Sequence, residues 1–184
     1  MISGIDKLPD TSWVKIVRSR AAIATQTVID VYDNGYQETP TSPVRRLKPL
    51  FEVTPTFSYK EALDATEKLV ISVIFHESSF RVDVERTIDG SSDCSYMQTK
   101  PGWISKVVPG KNCNDLKKDP KLAVFVGAEV LRLHKEYCLN KLPAEQKNTI
   151  TAKYWLGAYA SGTCGFAQAK ARELCGPAGV CELK

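Results

Sequence analysis

The sequence predicts a mainly α protein with a small β element, an α+β arrangement in which helices form most of the structure. Three segments carry this prediction, because apolar residues recur at helical spacing in 11–34, 58–80 and 120–137. Between the last two lies TIDGSSDCSYMQT, where DGSSD is typical of a turn and CSYMQT of a short strand. We therefore expect a helical domain with one β-hairpin or irregular loop.

Composition is ordinary for a globular protein. The chain has 184 residues, of which 43% are hydrophobic and 25% charged, enough for one domain with a substantial core. Its net charge of +4 is too small to indicate a nucleic acid partner, although it suits an anionic polymer such as a cell wall. No stretch approaches the ~20 apolar residues of a membrane span.

Six cysteines indicate disulfides in an oxidising compartment. No CxxC pair occurs and the chain has two histidines, so we expect neither structural zinc nor another metal or cofactor. The sequence does not choose among the pairings, but we expect at least two bridges, one of them using a cysteine of the C-terminal set. The cysteines are Cys94, Cys113, Cys138, Cys164, Cys175 and Cys181.

The opening residues, MISGIDKLPDTSW, have no apolar segment typical of a secretory signal. We expect that a signal has been removed or that the protein leaves its cell by a route that needs none. Either way, disulfides and an absent signal have to be explained together.

The first 57 residues are predicted to form an N-terminal helix and a connector that pack on the main domain, residues 58–184. Thr11 or Ser12 is the expected cap of this helix, and Asn34-Gly35 ends it. Residues 35–57 contain four prolines, so we expect no long helix there.

The main domain begins with a capping-box pattern, in which Ser58 is followed three residues later by Glu61. This helix should run to about Phe80. Further helices are predicted from Asp119-Pro120 onward, over about 148–161 and, shorter, over 165–174.

Glu77 stands on the apolar face of the second predicted helix, in its last turn. Burial and the negative end of the helix dipole both disfavour its charged form. A carboxyl group that keeps its proton is suited to general acid catalysis of glycosidic cleavage. The alternative is that Glu77 turns into solvent or pairs with Arg81 or Arg86. Three apolar residues share its face: Val73, Ile74 and Phe80.

Four segments, in this order, resemble the soluble lytic transglycosylase family and, more broadly, the lysozyme-like superfamily with the goose-type lysozymes. The segments are ESSF, SYMQTKP, DPKLAVFVGAEVL and GAYASG, within about residues 58–165. The resemblance implies a lysozyme-like helical domain with a small β-hairpin lining a sugar cleft. It departs from the family at Ser95-Tyr96, where Gly-Leu is usual, and at Ala160-Ser161, where Asn-Ala is usual.

Site roles follow from this resemblance position by position. Glu77 resembles the acid that protonates the glycosidic oxygen, and Tyr159 the tyrosine that orients that acid. Ser78 resembles a serine that binds close to the carboxylate, and Met97 and Gln98 the pair that lines the cleft.

Three aromatic residues, Trp103, Tyr96 and Phe80, are candidates for stacking on sugar rings, although isolated aromatics are also common in cores. A hydrolytic reaction would need a second carboxylate to activate water. Asp89 and Asp93 are the candidates, with ordinary turn residues as the alternative. A cysteine catalyst built from His134 and Cys138 is a weaker reading, since we expect Cys138 to be bridged. His76 is expected to be structural or exposed.

The resemblance implies cleavage of β-1,4 bonds in the peptidoglycan glycan strand, by a lytic transglycosylase or a muramidase. The alternatives are a glucosaminidase of the same fold and a glycan-binding module without turnover. Enzymes of this kind without a signal include phage lysins and the glycoside hydrolase effectors that type VI secretion systems deliver into a rival's periplasm. By analogy with those effectors, we expect periplasmic action and an immunity protein that occludes the cleft.

Overall fold

The computed structural model describes residues 11–88, 91–165, 173–176 and 180–184. Helices dominate these residues, as predicted. The elements in chain order are α1 (Ser12–Asn34), α2 (Tyr59–Ser78), β1 (Glu85–Ile88), β2 (Ser91–Cys94), α3 (Pro101–Val107), α4 (Cys113–Lys118), α5 (Pro120–Asn140), α6 (Ala144–Lys147), α7 (Ala152–Ser161) and a 3-10 turn, Val180–Glu182.

The two N-terminal helices begin and end where side-chain chemistry predicts. The hydroxyl of Thr11 accepts a hydrogen bond from the amide of Val14, and Gly35 ends α1 with a φ of 78°. Ser58 and Glu61 form the predicted capping box at the start of α2. These caps fix both ends of α1 and the start of α2.

The β element is a hairpin, but its second strand lies earlier than predicted. β1 and β2 pair antiparallel, with Arg86 opposite Asp93 and Glu85 opposite Cys94. The segment CSYMQT is therefore not a strand beyond Cys94, and residues 95–98 form turns. Its composition favours a strand, but Ser95 and Gln98 have φ values of 66° and 48°, which no strand accommodates.

The connector between α1 and α2 has no helix, as its prolines predict. It is held by two isolated bridges, Tyr36 with Arg45 and Thr54 with Phe57. Leu50 and Phe51 are buried, and the amide of Leu50 donates a hydrogen bond of 2.8 Å to the hydroxyl of Thr66. The connector thus packs on α2, and the predicted boundary at residue 57 stays a prediction.

The core centres on α5, which packs against α1, α3, α4 and α7. Its apolar residues join those of α1, α2 and α7 in one buried cluster. Trp155 on α7 and Leu69 on α2 are among the largest side chains that are fully buried there. This cluster fixes how α2, α5 and α7 lie relative to one another, and those helices position the site described below.

Two predicted helices differ from the structure. The helix expected over 148–161 begins only at Ala152, because α6 and a turn precede it. The helix expected over 165–174 falls largely on residues 166–172, outside the described part of the chain. α3 and α4 were not predicted; α3 spans seven residues and α4 six, too few for a periodic pattern.

Three disulfides are present: Cys94–Cys113, Cys138–Cys164 and Cys175–Cys181, with Cα–Cα distances of 5.8, 5.6 and 5.3 Å. This confirms the prediction of at least two bridges with a partner from the C-terminal set. Cys138 is bridged, so the described structure offers no free thiol there for a cysteine catalyst. Within the described ranges, no helix has the length and hydropathy that a membrane span requires.

Candidate active site

A cleft of about 400 Å³ brings together the ends of α2 and α7, the hairpin, the loop after β2, α3 and the middle of α5. Six of the residues predicted for the site line it: Glu77, Asp93, Met97, Gln98, Trp103 and Tyr159. These residues are far apart in the sequence, and the shared core of α2, α5 and α7 brings them to one surface.

Glu77 lies in the last turn of α2 and is half-buried. Val73, Ile74 and Phe80 are all buried, so the face that carries Glu77 packs into the core as its spacing predicts. Ser79 and Phe80 both have positive φ values, 51° and 63°. Two consecutive non-glycine residues in this region are costly, and such strain is concentrated at functional sites. These two residues follow the end of α2 at Ser78, so the strained turn begins two residues after Glu77.

Tyr159 lies across the cleft on α7, and its hydroxyl donates a short hydrogen bond to the backbone carbonyl of Met97. Burial raises the pKa of Tyr159 well above its ordinary value, and the negative charges of Glu77 and Asp93 raise it further. The tyrosine therefore stays protonated and a hydrogen-bond donor. Both carboxylates lie close enough to its ring to act on it electrostatically.

The loop of residues 95–98 presents Met97 and Gln98 to the cleft. Ser95 is anchored by a hydrogen bond of 3.3 Å from its hydroxyl to the carbonyl of Leu116, and the side-chain amide of Gln98 donates to the carbonyl of Ser95 at 3.0 Å. A Cβ atom on Gly127 of α5 would stand only 3.0 Å from Met97 Cβ. The absence of a side chain at Gly127 is what lets this loop pack directly on α5.

Aromatic rings form a second wall of the cleft. The ring of His134 lies 4.8 Å from that of Trp103 and 5.7 Å from that of Tyr159, centroid to centroid. Lys106 Nζ lies 4.7 Å from the centre of the Trp103 ring. Trp103 and His134 are both half-buried, so each presents part of a flat surface to the cleft.

A second carboxylate, Asp93, also lines the cleft. Its Oδ1 is buried and has no hydrogen-bond partner among the described residues. Asp93 stands opposite Arg86 in the hairpin, and residues directly opposite in a ladder share one face. A buried carboxylate oxygen without a partner is unfavourable unless a ligand or water meets it, which marks Asp93 as a functional candidate.

Two described residues that were predicted for the site, Ser78 and Tyr96, do not line this cleft. Ser78 is buried and its hydroxyl donates to the carbonyl of Ile74 at 2.9 Å, one turn back in its own helix. Tyr96 is 2% exposed and belongs to the core, so the core reading of its aromatic ring is the one the structure supports. Asp89 lies outside the described residues. Burial favours structural roles for Ser78 and Tyr96, and their contact with substrate stays a prediction.

Sequence reasoning missed His134 as part of the site, treating it only as a partner of Cys138. A signal was present on α5: Gly127, Val130 and His134 stand three and seven positions apart, and residues so spaced share a helix face. The structure places Gly127 beneath Met97 and the other two in the cleft lining. His76, by contrast, is exposed, in agreement with its prediction.

A larger cavity, of about 530 Å³, lies elsewhere, between the connector, α5 and the C-terminal residues. Its lining shares no residue with the cleft of Glu77. Size alone would favour this cavity. The smaller cleft is the better candidate because it combines two carboxylates, a half-buried tyrosine, aromatic rings in contact and strained backbone.

No protein-family model, curated protein or solved structure matches the chain. Among the described residues, no group of three or more histidine, cysteine, aspartate or glutamate side chains is placed to hold a metal ion. The function is therefore argued from the cleft itself.

Proposed function

We propose that the protein cleaves β-1,4 bonds of the peptidoglycan glycan strand, with Glu77 as the general acid, on a lysozyme-like helical domain. The observation that carries the proposal is that Glu77 and Tyr159 line one cleft. Met97 and Gln98, in the loop between β2 and α3, line it too. These four residues come from three of the segments that resemble the soluble lytic transglycosylases. Their convergence was expected from the resemblance and could have failed.

The cleft supplies what acid-assisted cleavage requires. Glu77 protonates the glycosidic oxygen as the bond to the sugar breaks, and the leaving sugar departs as an alcohol. Tyr159 keeps its proton and donates its one hydrogen bond to the carbonyl of Met97, so it holds the loop of Met97 and Gln98 in the same cleft as Glu77. Gln98 offers a side-chain carbonyl oxygen that its own hydrogen bond to Ser95 leaves free to accept from a sugar. Trp103 offers an aromatic face.

The two routes after protonation differ in the nucleophile. In a transglycosylase the acetamido group of muramic acid stabilises the cation, and the sugar's own C6 hydroxyl attacks and gives its proton to the Glu77 carboxylate, which yields a 1,6-anhydro end. In a hydrolase a second carboxylate takes a proton from water, and the product is a reducing end. Asp93 lines the same cleft as Glu77 and is the second carboxylate that the hydrolytic route needs.

Delivery as an antibacterial effector remains part of the proposal. Three disulfides favour action in an oxidising compartment such as a periplasm. A cleft-occluding immunity protein would then protect the producing cell. The binding-module alternative keeps the same cleft and glycan but predicts no bond cleavage.

Digestion of purified peptidoglycan, followed by mass spectrometry of the soluble products, tests the proposal. An anhydromuramic end identifies a transglycosylase, a reducing muramic acid end a muramidase, and a reducing glucosamine end a glucosaminidase. Retained glycan binding with no soluble product would support the binding module and contradict the proposed activity.

A further inference from the structure

We propose that His134, whose ring contacts both Trp103 and Tyr159, binds the glycan directly, and that its Nε2 accepts a hydrogen bond from a sugar hydroxyl or an acetamido N–H. This inference rests on the proposed function and adds to it a residue that reads the substrate. It follows from the tautomer, the position and the charge state of the ring, taken in turn.

The tautomer follows from one hydrogen bond. His134 Nδ1 lies 2.8 Å from the carbonyl oxygen of Val130. A carbonyl oxygen only accepts, so Nδ1 carries the proton. In the neutral ring Nε2 is then without a proton and acts as an acceptor. No described residue is hydrogen bonded to Nε2.

The ring is also held in place. It is half-buried, lines the cleft, and contacts Trp103 on α3 and Tyr159 on α7. Together with the bond to Val130, these contacts define the ring plane before a ligand arrives. Binding through Nε2 therefore requires little further ordering of the side chain, which favours affinity.

The neutral form is the one present near pH 7. Burial lowers the pKa of His134, and the charge of Lys106 lowers it further, while the bond to Val130 acts in the opposite direction. The other charged groups of the cleft lining are Glu77, Asp93, Arg86 and Lys100. A ring that stays neutral keeps Nε2 available as an acceptor.

A purely structural role explains less. Val130 and His134 are four positions apart in α5, where the backbone N–H of the later residue already satisfies the earlier carbonyl. The ring contacts with Trp103 and Tyr159 would be met equally by phenylalanine. A structural role leaves Nε2 without a hydrogen-bond partner among the described residues, whereas a ligand in the cleft would supply one.

Nitrogen-15 NMR of the histidine rings tests the inference on the intact protein. The chain has only two histidines, and exposed His76 serves as an internal control. The sample is the Glu77→Gln variant, so that substrate is not consumed, titrated with a tetrasaccharide of alternating N-acetylglucosamine and N-acetylmuramic acid. We expect the His134 Nε2 resonance to move toward lower frequency on saturation, while both His76 resonances stay in place. Saturable binding without movement at Nε2 would overturn the inference.

A variant gives an independent measurement. His134→Phe keeps a flat ring between Trp103 and Tyr159 but removes the acceptor, and one neutral hydrogen bond corresponds to roughly a three- to tenfold loss of affinity. We expect the KM of glycan cleavage to rise by about that factor with kcat changed less, and His76→Phe to change neither. Unchanged KM in a folded His134→Phe protein would refute the role of His134. Absence of cleavage by the wild-type protein would instead refute the proposed function, so the two failures are distinguishable.

Discussion

The hydroxyl of Tyr159 donates its hydrogen bond to the backbone carbonyl of Met97, a residue 62 positions earlier in the chain. This bond connects α7 to the loop that follows the hairpin. It crosses the cleft beside Glu77, and the charge of Glu77 acts on the same tyrosine. One side chain thus holds the cleft loop in place beside the proposed acid.

Tyr159→Phe should lower both the stability of the fold and the rate of glycan cleavage. Met97 is 1% exposed, so its carbonyl would lose its donor in a buried position, at a cost of about 1–3 kcal/mol in the free energy of unfolding. Glycan cleavage should fall because the loop that carries Met97 and Gln98 loses its hydrogen bond to α7. Urea unfolding and the release of soluble glycan products measure the two effects. Tyr59→Phe, at an exposed tyrosine, is the control and should leave both unchanged. Equal stability and activity in the two variants would contradict this role.

Gly127→Ala should displace the loop that carries Met97 and Gln98. The added methyl group would stand 3.0 Å from Met97 Cβ and still closer to its sulfur. Overpacking of this kind costs about 1–3 kcal/mol, more than the ~1 kcal/mol that alanine gains over glycine in a helix. Gly102→Ala is the matched control, because nothing lies within 4 Å of a Cβ at Gly102. We expect Gly127→Ala to lower the melting temperature and cleavage, and Gly102→Ala to lower neither. Wild-type behaviour of both would show that Gly127 is not needed for loop packing.

Alkaline pH should destabilise the fold through its buried tyrosines. Burial raises the pKa of Tyr32 and Tyr159, and burial followed by the charge of Asp119 raises that of Tyr36 to about 12. In the unfolded chain these groups ionise near pH 10. The folded state therefore binds more protons above that pH, so this stability is complete below about pH 10 and is lost as pH rises toward the folded values. Urea midpoints measured at about pH 9, 10 and 11 should fall progressively, and less so in Tyr159→Phe. A constant midpoint would refute the prediction.

The Cys94–Cys113 bridge should matter more to activity than the Cys175–Cys181 bridge. It ties the end of β2, three residues before Met97, to the start of α4. With cysteines 19 positions apart, loop-closure entropy predicts a contribution of about 3 kcal/mol, against about 2 kcal/mol for cysteines six positions apart. Paired alanine variants should show this order in stability, and only the first should lose most of its cleavage. Full activity of Cys94→Ala/Cys113→Ala would exclude a role for this bridge in the site.

Much of the fold could be predicted from local signals. Three signals act between residues that are close in sequence, and each specifies local structure. They are the capping box at Ser58, the helix end at Gly35 and the apolar spacing of α5. The short helices α3 and α4 could not, because they hold fewer than two full turns of periodic pattern. The segment CSYMQT was misassigned because its composition favours a strand, whereas contacts with Leu116 and Gly127 hold it in turns.

The same distinction divides the candidate site. Glu77 was identified because its helix face is readable from the sequence. Ser78 was assigned to substrate by resemblance and Tyr96 by its aromatic ring, and their burial depends on packing that the sequence does not reveal. Asp93 was one of two candidate carboxylates and lines the cleft, whereas the place of His134 there follows only from tertiary structure, through its ring contacts with Trp103 and Tyr159.

Cleavage of purified peptidoglycan by Glu77→Gln protein tests the central claim most directly. Glutamine keeps the size of the side chain but cannot donate the proton, and a general acid typically contributes at least about a hundredfold to rate. Glu145→Gln, at an exposed glutamate on α6, makes the same chemical change away from the cleft. We predict wild-type release of soluble muropeptides by Glu145→Gln, and a loss of at least about a hundredfold by Glu77→Gln with a nearly unchanged melting temperature. Release at the wild-type rate by Glu77→Gln would contradict the assignment of Glu77 as the acid.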